Sequence, residues 1–184
     1  MQEIKMITLA PEIDGSEGFV KQLTKESPHI ILSIGHSDAS YEETRESFTW
    51  GVSHSTHLFN AMNSYHHIEP GIEGAVFDAD VTCDIFDDLV HTHPSALELA
   101  QRVKREKLIL ITDAMRAGCM KCGTYDLGGR RVDVSEGKAV LEDGTLAGSV
   151  LKMNDALANM HRHTSMSMVE VINSATKIPA CKLG

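Results

Sequence analysis

Apolar and polar positions along the chain repeat one plan. A short apolar run ends on a polar residue, and apolar positions at helical spacing follow. Residues 4–10 read as a strand stopped by Pro11 and followed at once by Glu12, after which Phe19, Val20 and Leu23 mark a helix up to Ser27-Pro28. Residues 29–34 form a nearly continuous apolar run, as expected of a strand covered on both faces, ending in Gly35-His36-Ser37-Asp38. Ser40 with Glu43 matches a capping box and predicts a helix to about Trp50-Gly51. Residues 51–55 predict a third strand, leading to His57.

Residues 63–74 show no helical period and read as a polar loop, and residues 75–77 and 81–86 read as strand-like. Pro94 suits the first turn of a helix whose apolar face is Leu97, Leu99, Ala100 and Val103. Residues 107–112 give the clearest buried strand, ending on Asp113. Between 124 and 148 short alternating segments are separated by Gly128-Gly129, Glu136-Gly137 and Asp143-Gly144, a β-hairpin excursion. Helical character returns at 151–160 and 168–176, and Pro179 disfavours a further turn.

Strands alternating with helices predict an α/β fold with a parallel sheet. Glu12 to His36 is 24 residues, His36 to His57 is 21 and His91 to Asp113 is 22, each room for one strand, one helix and two loops. The polar residues therefore fall at the carboxyl ends of their strands, the active-site face of a (β/α) barrel and of an open doubly wound sheet alike. With no Gly-x-Gly-x-x-Gly after an early strand, the barrel is favoured.

At 184 residues the chain suits one domain, 1–184. A net charge of −9 argues against a nucleic-acid surface, and no apolar run approaches the ~20 residues of a membrane span. Four cysteines without small-domain spacing point to a reducing, cytoplasmic setting.

Ten histidines are more than packing needs and turn attention to metal chemistry. Glu12, His36 and His57 place one carboxylate and two imidazoles on three successive strand ends, a donor set of the catalytic-zinc kind. On the residues alone, three unrelated polar groups bonded locally would look the same. Asp113 is placed to act as acid/base or merely to cap the next segment, and His91 to meet a substrate carbonyl. Cys119-Met120-Lys121-Cys122 has a redox or half-zinc spacing with no second pair, and reads as incidental.

Six stretches together resemble the N-acetylglucosamine-6-phosphate deacetylase family of the amidohydrolase superfamily. They are Thr8-Leu9-Ala10-Pro11-Glu12, Gly35-His36-Ser37, Thr56-His57-Leu58-Phe59-Asn60-Ala61-Met62, Glu69-Pro70-Gly71, Thr112-Asp113-Ala114 and Gly144-Thr145-Leu146-Ala147-Gly148-Ser149. The resemblance implies a (β/α)8 TIM-barrel-type hydrolase, here incomplete at about strands 3 to 8 and truncated relative to the family. It implies a divalent metal, zinc before Fe2+, Co2+ or Mn2+, on Glu12, His36 and His57. Asp113 would be the acid/base and His91 would lie beside the substrate carbonyl. Asn60 and Ala61 would contact the phosphate of an amino sugar, and Leu146, Ala147 and Gly148 would line its pocket. The implied reaction is removal of the N-acetyl group, in a homodimer. Two departures stand out: Ile68 replaces an arginine before Glu-Pro-Gly, and Asp87-Asp88-Leu89 replaces Ala-Asp-Gly ahead of the substrate histidine.

Overall fold

A computed structural model describes residues 3–184. Five short parallel strands, β1 (Met6–Leu9), β2 (Ile31–Ile34), β3 (Val52–Ser55), β4 (Thr82–Ile85) and β5 (Leu108–Leu110), form one sheet in the order β1-β2-β3-β4-β5. Helices α1 (Ser16–Glu26), α2 (Tyr41–Trp50), α3 (Gly71–Asp78) and α4 (Pro94–Lys104) make the crossovers. Leu32, Ile34, Cys83, Ile85, Leu108 and Leu110 share one buried core with Val20, Leu23, Ile72, Val76 and Leu97 of those helices. On the strands, Thr8, Ser33, His54 and Thr82 occupy paired register positions, a row of polar residues across the sheet.

The parallel α/β sheet follows the sequence pattern, with five strands where the reading of strands 3 to 8 implied six. Among the described residues β1 and β5 are the sheet's edges, so this part of the barrel is open. The capping box at Ser40 is formed in full, and Pro94 opens α4.

Two expectations are corrected. Residues 75–77 lie inside α3, not in a strand. The chain also continues past α5 (Met153–His163) and α6 (Met168–Ala175) into α7 (Lys177–Leu183), with Pro179 in its first turn. A proline there removes an N–H that has no intrahelical acceptor anyway.

The β excursion is a three-stranded antiparallel sheet, β6 (Gly123–Leu127), β7 (Arg130–Ser135) and β8 (Lys138–Leu141), turning at Gly128-Gly129 and Glu136-Gly137. Its separate small core holds Met115, Ala117, Val132, Val134 and Ala139. The excursion returns through a parallel bridge between Ala114 and Ser149, which sets the turn 146–148 beside the end of β5.

Candidate active site

Each strand end turns abruptly. His36, His57 and Asp113 all have left-handed backbones, with φ of 51°, 35° and 48°. Such conformations cost a non-glycine residue roughly 1–3 kcal/mol and persist where surrounding structure enforces them.

That enforcement comes from the sequence motifs locking onto one another. Thr8 and Thr56 hydroxyls are 2.9 Å apart, and Thr56 meets Ser33 at 2.6 Å. Gly35 lies beneath this chain of hydroxyls. A Cβ there would fall 2.9 Å from Thr56 Cβ and 3.0 Å from Thr8 Cγ2, so no other residue fits. Ser37 N–H donates to Ala61 O at 3.2 Å, tying the turn after β2 to the turn after β3. In the latter turn Phe59 and Ala61 are left-handed as well, and Asn60 is fastened locally, its N–H donating to His57 O.

His36 and His57 meet with their Nε2 atoms 2.9 Å apart and their rings edge to face. His57 is buried, and burial, then His36 beside it, pushes its pKa down, which keeps the imidazole neutral as a metal ligand requires. Asp113 faces the same space. Burial raises its carboxyl above the ordinary range, while His57, His91 and His36 pull it back.

Glu12 is not gathered with the two histidines. Its carboxylate accepts Ser37 Oγ–H at 2.6 Å and Asp38 N–H at 2.8 Å. It braces the turn that carries His36. Among the described residues no group of three or more His, Cys, Asp or Glu side chains is set to hold a metal ion.

Two of the expected ligands nevertheless fit one. Bonds of ~2.0–2.1 Å to a tetrahedral ion place two nitrogens about 3.3 Å apart, close to the separation seen here. Without an ion only one of the two facing nitrogens can carry a proton, and the other must accept it.

His91 stands on the loop after β4. Its Nδ1 donates to Asp88 Oδ2 at 2.6 Å and its Nε2 lies 2.9 Å from Ala147 O. The Asp88 bond raises its pKa, outweighing burial. His91 and the turn 146–148 are thus brought together as expected, with the bond to Ala147 joining them.

Asp88 was not foreseen as a partner, although Asp followed at i+3 by His was a readable signal. It accepts from Val90 N, His91 N and His91 Nδ1. Ser149 was equally hidden: its Oγ donates to Thr112 O and its N–H to Asp113 O, fixing the strand end at Asp113. Ile68 is strongly exposed in its loop. A cavity of about 1380 Å³ lies elsewhere, near the start of β4 and below β5, and none of the candidate residues lines it.

The amidohydrolase family profile matches residues 14–184. The N-acetylglucosamine-6-phosphate deacetylase of Bacillus subtilis (strain 168) is 43% identical over 183 residues, covering 98% of this chain and 46% of that protein. The N-acetylgalactosamine-6-phosphate deacetylase of Escherichia coli O157:H7 is 35% identical over 182 residues, covering 98% of this chain and 48% of that protein. The crystal structure of N-acetylglucosamine-6-phosphate deacetylase from Thermotoga maritima superimposes with a TM-score of 0.91 at 38% identity, over 98% of this chain and 50% of that one. The chain spans about half the length of the relatives it matches.

Proposed function

The chain belongs to the amidohydrolase family, and from that premise we propose that the protein removes the N-acetyl group of N-acetyl-D-glucosamine 6-phosphate, giving D-glucosamine 6-phosphate and acetate. The observation that carries this is the convergence of His36, His57 and Asp113 at strand ends, with His91 bonded to the turn at Ala147. Relatives named as deacetylases of two epimeric amino-sugar phosphates support the substrate class.

The family is metal-dependent, and His36 and His57 would hold a divalent ion, zinc before iron, cobalt or manganese. When bound, it supplies Lewis-acid charge at the scissile carbonyl and lowers the pKa of water. The remaining work falls to side chains. Asp113 accepts the proton of the attacking water and returns it to the departing amine, a task suited to a carboxyl held above its ordinary range. His91 exchanges its Ala147 acceptor for the acetyl oxygen and donates to it. Asn60 and Ala61 face the phosphate, and Leu146 and Gly148 line the pocket beside Ala147. Glu12 holds the His36 turn. A homodimer in the cytoplasm is part of the same proposal.

One observation favours a second reading, a metal-binding remnant without turnover: the described residues gather only two of the donors. Acetate release from the sugar phosphate, measured with each added metal, separates the two. Release supports the deacetylase. Silence from this chain beside an active Bacillus relative leaves the remnant.

A further inference from the structure

Asp87 lies in the loop between β4 and His91 with 0% of its surface exposed, and neither carboxylate oxygen has a hydrogen-bond partner. The neighbouring α5 helix meets this residue at Asn159, whose Nδ2–H donates to the Asp87 backbone carbonyl at 2.9 Å. Leu89, two residues on, is left-handed at φ 60°. Phe86 packs on the His91 ring with centroids 5.1 Å apart. The segment is thus held closed by Asn159, by Phe86 and by the chain Asp88–His91–Ala147. It closes over a carboxyl whose charged form burial disfavours.

We propose that Asp87 is a proton-operated positioning residue for His91. While uncharged it lets the loop pack closed, so that His91 reaches Ala147; when ionised it drives the loop open and frees the 146–148 turn.

Burial, then the neighbouring Asp88, pushes the Asp87 carboxyl up to about 8. Asp88 is the charged group that bears on it, and His91, itself raised in pKa, is the cation bound to Asp88. Closing the loop therefore takes up a proton between about 3.8, the ordinary aspartate value, and about 8. Over that window the closed-to-open ratio falls roughly tenfold per pH unit, and above it the ratio is flat. This inference uses the geometry around His91 and does not rest on the proposed activity.

The test is NMR of the isotope-labelled chain from pH 5.5 to 9.5, following the Ala147 amide and the His91 ring. The expected result is conversion from closed to open signals with rising pH, levelling near pH 8. In Asp87→Asn, the neutral isostere, the loop should stay closed until His91 itself loses its proton. Asp87→Ala serves if the Asn variant does not fold. A wild-type loop that stays closed through pH 9.5, or an Asp87 variant that opens over the same range as wild type, overturns the proposal.

Discussion

His57 and His36, separated by 21 positions in sequence, face each other across adjacent strand ends with their Nε2 atoms 2.9 Å apart. The Glu12 carboxylate is bonded to Ser37 Oγ and Asp38 N–H beside that pair. The two roles make distinguishable predictions.

Removing a ligand should empty the site, whereas removing a brace should only loosen it. His57→Ala or His36→Ala is expected to weaken zinc binding by more than about 100-fold, and Glu12→Gln by about 10–100-fold, the size of an outer-partner effect. Calorimetric titration of the metal into each variant decides. Equal losses for Glu12→Gln and His57→Ala would make Glu12 a ligand after all.

Asp113 should matter to chemistry and not to metal retention. Asp113→Asn keeps the shape and loses the base, so kcat should fall roughly 10²–10⁴-fold with zinc content unchanged. The wild-type carboxyl is raised, and only its ionised form can accept a proton. The acidic limb of kcat against pH should therefore lie above the ordinary carboxylate range. A limb at that ordinary value would remove Asp113 from the role of base.

Much of this arrangement was legible because each strand ends on a polar residue at a repeated interval, and parallel β/α units bring such ends to one edge. Residues 107–112 and 29–34 announced buried strands through continuous apolar runs, although the strands themselves are shorter. The helix α3 was not legible. It contains Gly71 and Gly74 within eight residues, so its local propensity is poor and packing decides. Gly74 is there because a Cβ would fall 2.4 Å from Pro70 Cβ. The destination of the Glu12 carboxylate was equally beyond reach. A motif shows that a carboxylate ends the strand, but whether it turns to a metal or to a neighbouring serine depends on an angle that spacing does not encode.

Leu89 offers a test of strain near His91. Its backbone sits at φ 60°, where the family resemblance has glycine, and its side chain is 40% exposed, so little packing is at stake. Leu89→Gly should raise the unfolding free energy by about 1 kcal/mol, the steric cost of a left-handed leucine less glycine's extra freedom when unfolded. Urea denaturation measures it, and a loss of stability would show that the leucine side chain contributes more than its backbone costs.

The base of the sheet has a cation whose role is structural. Lys104 is 4% exposed, and its Nζ donates to Val76 O at 2.7 Å and Ala79 O at 2.9 Å, satisfying carbonyls where α3 ends. Burial pushes its pKa down, so the folded state holds this proton less tightly than the unfolded chain. The folded protein is accordingly favoured as pH rises through the window between that lowered value and the ordinary 10.5. Lys104→Met keeps the aliphatic stem and drops the donors. Val76 O keeps the Ala79 N–H, but leaving Ala79 O unpaired should cost about 2 kcal/mol, and the variant should lose this alkaline contribution. Denaturation at pH 7 and pH 10 tests both statements: if the methionine variant matches wild type at pH 7, the Nζ bonds do not hold α3 in place.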